Sequence, residues 1–107
     1  MRVLLDECLP RRIKRALPEH EVRTVVEMGW AGIKNGALTH RITGRFDAFL
    51  TVDRGIVHQQ NLRGISFGII ALSASSNDIE TLRPLLQRVR EVLATIQPGD
   101  VVVVTAS

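Results

Sequence analysis

Five short runs rich in β-branched and other apolar residues recur along the chain, and they constrain its fold more than any other feature. They cover Arg2–Leu5, Glu21–Val26, Ala48–Val52, Ser66–Leu72 and Asp100–Thr105. Several are continuous rather than alternating, which is the pattern of strands covered on both faces in a parallel sheet. Helical stretches separate them, so the expected fold is α/β with a mainly parallel sheet of about five strands and right-handed crossovers. At 107 residues the chain has room for a single domain spanning 1–107.

The helical stretches differ in strength. From Ile79 to Ile96, residues Ile79, Leu82, Leu85, Leu86, Val89, Val92, Leu93 and Ile96 follow helical spacing. Asn77 with Glu80 is the expected cap, and Gln97-Pro98-Gly99 closes the segment. Pro84 implies a kink, or a start nearer Thr81. A first helix is expected from Pro10, with Leu9, Ile13, Ala16 and Leu17 inward, Arg11, Arg12, Lys14 and Arg15 on its other face, and Pro18 ending it. A short helix lies between Asn35 and Gly44 with Leu38 and Ile42 inward, and Ile56–Leu62 forms a turn or two more.

Composition narrows the function classes. With one cysteine, Cys8, the chain has no internal disulfide and no multi-cysteine zinc site. No apolar run approaches the roughly 18 residues of a membrane span, and Asp6-Glu7 interrupts any signal-like start, so a cytoplasmic protein is expected. Three Phe, one Trp and no Tyr leave little for stacking bases on aromatic platforms. The net charge of +3 divides unevenly: residues 1–45 hold nine basic and five acidic groups, whereas 46–107 hold five and six. A polyanion bound here is held through its phosphates, by a basic set of twelve arginines and two lysines.

Chemistry is expected where strands end. In an open parallel sheet, sites form at the carboxyl ends of strands beside the point where strand order reverses. Two runs end in acids here, Val3-Leu4-Leu5-Asp6-Glu7 and Phe49-Leu50-Thr51-Val52-Asp53-Arg54. On neighbouring strands Asp6 and Asp53 are about 5 Å apart laterally. Carboxylates that close share a proton or bind a cation, and oxygen-only ligation suits Mg²⁺ or Mn²⁺. Glu7 and Asp47 are candidates to complete the set, although an acid preceding a strand also serves simply to turn the chain. Thr51, on the same strand face as Asp53, is placed to hydrogen-bond a carboxylate or water. Against this, an acid at a strand end often caps the next helix or pairs with an arginine. Arg11, Arg12 and Arg54 start segments leaving the expected crevice and are candidates for phosphate contacts, the alternative being a solvated helix face. His58-Gln59-Gln60-Asn61 either lines the site or covers a strand end. His20 and His40 are isolated, Cys8 beside acids has its thiol pKa raised, and Trp30 between glycines reads as a loop anchor.

The string Leu4-Leu5-Asp6-Glu7-Cys8-Leu9-Pro10-Arg11-Arg12 resembles the opening of the short PIN-like domain family, a branch of the PIN-like nuclease superfamily. Further segments agree in order: Pro18-Glu19-His20-Glu21-Val22, Met28-Gly29-Trp30-Ala31-Gly32, Phe46 to Arg54, and Gln59-Gln60-Asn61-Leu62. The resemblance spans nearly the whole chain. It implies a three-layer α/β/α PIN-like fold and a ribonuclease in which clustered carboxylates bind Mg²⁺ or Mn²⁺, activating water against a phosphodiester. By position, Asp6 and Asp53 match metal-holding acids and Glu7 the acid beside the first. It further implies single-stranded RNA as substrate, an antitoxin protein as partner if the chain is a toxin, and homodimers. Ala37 stands where many relatives carry a helix carboxylate, and Ser73-Ala74-Ser75-Ser76-Asn77 replaces an arginine-bearing stretch. A PIN-like binding protein without catalysis is therefore the main alternative. A phospho-accepting receiver domain is a weaker one, since no lysine follows the fifth strand run through Ser107.

Overall fold

In the computed structural model of the chain, residues 1–33, 35–52 and 64–105 are described. They form β1 (Arg2–Leu5), α1 (Ile13–Ala16), β2 (Glu21–Thr24), α2 (Asn35–Ile42), β3 (Ala48–Thr51), β4 (Gly68–Ser73), α3 (Ile79–Leu93) and β5 (Val101–Thr105). The strands make one all-parallel sheet in the order β2-β1-β3-β4-β5. Each strand lies within two residues of its apolar run. The candidate turns at Ile56–Leu62 and the His58–Asn61 stretch lie outside the described residues.

Alternate strand residues bury against opposite faces, as the period of two requires. Val3, Leu5, Ala48, Leu50, Ile70 and Leu72 share one buried cluster with Leu9, Ile13 and Leu17 around α1 and with the apolar stripe of α3. Leu4, Phe49 and Ile69 point the other way, into a cluster with Leu38 and Ile42 of α2, Phe46, Phe67 and Trp30. Helices thus cover both faces, which is why the three interior strands are apolar over most of their length, with Arg2, Thr51 and Ser73 only at their ends. Trp30 is the loop anchor expected of it. It is buried, meets Phe46 edge-on at 6.1 Å and lies under the Arg45 guanidinium at 5.8 Å.

The connections depart from the uniform right-handedness expected. α1 and α3 pack against the same face, yet the β1-to-β2 and β4-to-β5 connections run in opposite directions across the sheet. Two same-face crossovers of opposite direction are necessarily of opposite hand, so one of the two is left-handed.

Helix starts also differ from expectation. Pro10 opens not α-helix but i-to-i+3 turns, with Ile13, Lys14 and Arg15 donating to Pro10, Arg11 and Arg12, before α1 proper begins. The cap of α3 is Asp78 rather than Asn77: its carboxylate accepts from Thr81 N–H at 2.9 Å and from the Ser76 hydroxyl at 2.7 Å. Asn77 instead donates its amide to the Cys8 carbonyl at 2.7 Å, tying the α3 entry to the segment after β1. Glu80, expected in the cap, pairs with Arg83 at 3.0 Å. The helix starts at Ile79 and runs on through Pro84. It ends at Leu93, three residues before the expected Ile96, which is still buried in the turn beyond.

Candidate functional site

The strand order reverses between β1 and β3, so the carboxyl ends of these two strands form the crevice where an α/β sheet places a ligand. β1 pairs with β3 in the register Leu5 to Leu50, and the ladder extends one step further through Asp6 N–H to the Leu50 carbonyl at 2.9 Å. This carries Asp6 alongside Thr51. The Thr51 side chain is fully buried, and its hydroxyl donates to Asp6 Oδ2 at 2.7 Å. The Glu7 N–H donates to Asp6 Oδ1 at 2.8 Å. Asp6 is therefore oriented from two sides by hydrogen-bond donors, while the side chain itself is only half-buried. An ionised carboxylate offers about four acceptor sites, so with the Cys8 thiol also bonded to it the hydrogen bonds from the described residues leave one open to a further donor or a cation.

Glu7 lies beside Asp6 but is exposed, and its Oε1 accepts the Gly32 N–H at 3.3 Å. Gly32 adopts φ +81°, a conformation that glycine holds without strain and that turns the loop after Trp30 toward Glu7. Cys8 sits half-buried in the same cluster. Burial is the main reason its thiol pKa is raised, with the Asp6 charge adding to it, so the expected direction holds while the chief cause is desolvation.

The structure does not bring Asp47 to this cluster. β1 and β3 are parallel, so Asp47, which precedes β3, lies at the other end of the sheet, about 13 Å of strand away from Thr51. There it accepts the Arg2 backbone N–H at 2.8 Å, and Arg2 Nε lies 3.6 Å from the same oxygen. The Arg2 N–H is the main reason its carboxyl is held below the usual range. Its role is to join the starts of two strands. Asp53 and Arg54, which follow Val52 in sequence, lie outside the described residues. Among the described residues, no group of three or more His, Cys, Asp or Glu side chains is gathered as a ligand set.

A third acid at the carboxyl ends escaped the sequence reading. Glu27 follows β2: its N–H donates to the Thr24 hydroxyl at 3.0 Å, and its Oε1 accepts the Thr24 N–H at 3.1 Å and Lys14 Nζ at 2.7 Å. The signal was present as Thr24-Val25-Val26-Glu27, the reciprocal spacing of a capping box. Lys14 is the main reason the Glu27 carboxyl is held low, so this acid is already engaged by a cation of the chain.

Arg11 and Arg12 are exposed on the turns leading into α1. Arg12 faces the seam between α1 and α3, where it lines a groove with Arg15 and Arg83. In comparisons against protein-family models, curated protein sequences and solved structures, none matches this chain.

Proposed function

We propose that the chain is a divalent-metal-dependent ribonuclease of three-layer, PIN-like architecture, acting at the crevice between the carboxyl ends of β1 and β3. The observation that carries this reading is Asp6, fixed at the reversal of strand order by Thr51 from the neighbouring strand and by the Glu7 N–H, with acceptor capacity left over. Hard oxygen donors of this kind fit Mg²⁺ or Mn²⁺. Asp6 together with Asp53 would hold the metal, which supplies a water of lowered pKa for attack on a phosphodiester. Thr51 fixes the Asp6 carboxylate so that little reorganisation is needed when charge develops. Glu7 orients the water or a ligand, and Arg11, Arg12 and Arg54 neutralise phosphate charge on single-stranded RNA.

The test is cleavage of labelled single-stranded RNA by the purified protein with Mn²⁺ or Mg²⁺, beside Asp6→Asn and Asp53→Asn. Both substitutions are expected to lower the rate about a hundredfold or more, as loss of a metal ligand or its support does. Absence of cleavage by the wild type, or undiminished cleavage by both variants, ends the reading. A toxin role adds arrest of growth on expression, relieved by a small antitoxin protein.

One observation favours the alternative of a PIN-like binding protein without catalysis: the Glu7 carboxylate is already engaged by the Gly32 N–H. RNA retained by the protein but left intact in the same assay supports that second reading.

A further inference from the structure

The seam between α1 and α3 carries more charge than the proposed cleavage chemistry uses, since Arg15 and Arg83 have no part in it. Arg12, Arg15 and Arg83 line a groove of about 300 Å³ together with the apolar Ala16, Ile79 and Leu86. An adjoining hollow of about 380 Å³ is lined by Arg11, Arg12, Lys14 and Arg15. Lys14 is compensated by Glu27 at 2.7 Å and Arg83 by Glu80 at 3.0 Å. Arg11, Arg12 and Arg15 have no ion-pair partner among the described residues.

The other end of the same seam provides a contrast. There Glu19, after α1, binds Arg90 of α3 at 2.9 Å. An acid is thus present where the two helical segments are tied together, whereas among the described residues none pairs with Arg12 or Arg15 at the groove. Cations crowded in this way repel one another, and that repulsion is relieved when an anion binds.

We infer that this groove is a docking site for an acidic, amphipathic peptide segment of a partner protein. Its carboxylates pair with Arg12, Arg15 and Arg83, for which the planar guanidinium is well shaped. An apolar side chain between those carboxylates covers Ala16 and Ile79, the partly buried apolar residues of the lining. The apolar lining favours a peptide over RNA, because a sugar–phosphate backbone buries nothing against Ala16, Ile79 and Leu86. None of the six groove-lining residues is aromatic, so the groove offers a base nothing to stack on. Arg12 is shared with the proposed phosphate contacts, whereas Arg15 and Arg83 are not, so a variant at those two residues tests the groove separately from cleavage.

The experiment is fluorescence anisotropy with a short fluorescein-labelled peptide carrying Leu and Glu at helical spacing. Two further probes are the same peptide with Ser for Leu, and a labelled oligouridine of equal charge. The Leu/Glu peptide is expected to bind saturably and more weakly as salt rises, and the Ser version to bind less well. The double variant Arg15→Ala/Arg83→Ala, with an unchanged circular dichroism spectrum, is expected to weaken the peptide about tenfold. Three results would overturn the inference: no binding of the Leu/Glu peptide, equal binding of the Ser peptide, or binding unchanged in the double variant. Oligouridine that displaces the peptide and is itself lost in the double variant overturns it in favour of a nucleic-acid surface.

Discussion

Replacing Thr51 with valine tests the central contact of the candidate site with little change of shape. Threonine and valine occupy similar volumes, so the buried side chain is exchanged without a cavity and only the hydroxyl is lost. That hydroxyl lies 2.7 Å from Asp6 Oδ2 and is fully buried. Hydrogen bonds to charged groups contribute about 1.5–3 kcal/mol net. Two effects reduce the figure here. Asp6 is half-buried, so water replaces part of what the hydroxyl gave, and valine no longer has a hydroxyl to desolvate. The expected loss is about 1–2 kcal/mol, a fall in Tm of roughly 5–10 °C for a domain of this size. Because Thr51 also bonds the Cys8 side chain, the Asp6 share must be isolated by a double-mutant cycle with Asp6→Ala, read by urea unfolding. A coupling energy near 1 kcal/mol supports the contact as described. Coupling within about 0.3 kcal/mol of zero, the range in which independent sites add, would refute it.

Other consequences are open to direct measurement. A Cβ on Gly68 meets Cδ1 of Ile96, with Cγ1 at 2.6 Å, so Gly68→Ala is expected to cost about 1–3 kcal/mol by overpacking. Ile96→Val removes the nearer atom and should restore part of that loss in the double variant, as read by thermal unfolding. The Cys8 thiol, with its pKa raised mainly by burial, is expected to react with iodoacetamide at neutral pH more slowly in the native protein than in urea, with equal rates counting against it. Asp47 has a folded pKa below its unfolded one, so its contribution is fully present above the unfolded value of about 4 and is lost as pH falls through the folded value. Asp47→Asn should therefore destabilise at pH 7 and flatten the acid limb of the stability curve, while an unchanged acid limb contradicts the assignment.

The sequence was most legible where a residue's role depends on its nearest neighbours. The interior strands are bounded by the change from apolar to polar residues, and α3 by spacing sustained over Ile79 to Leu93. Trp30 was legible as an anchor because a lone large aromatic between Gly29 and Gly32 must bury somewhere. The cap of α3 was harder, since Asn77 and Asp78 are both good capping residues one position apart. What separates them is a partner distant in sequence: the Cys8 carbonyl claims the Asn77 amide, and Asp78 is left to face Ser76 and Thr81.

The two acids flanking β3 illustrate the same division at the candidate site. Along the chain, Asp47 and Asp53 bracket one short strand and resemble each other as ligands for a shared cation. In a parallel sheet, direction along the strand is itself chemical information. The residue before β3 shares an end with Arg2 at the start of β1, and the residues that close β3 share an end with Asp6. Hence an acid that flanks a strand can join Asp6 only from the strand's carboxyl end, a condition met by Glu27 after β2 and not by Asp47. Of the acids meeting it, Glu27 is bound to Lys14 and to the Thr24 N–H, which leaves its carboxylate committed to the fold. Among the described residues, Asp6 accepts hydrogen bonds from the Glu7 N–H and the Thr51 hydroxyl and takes part in no ion pair.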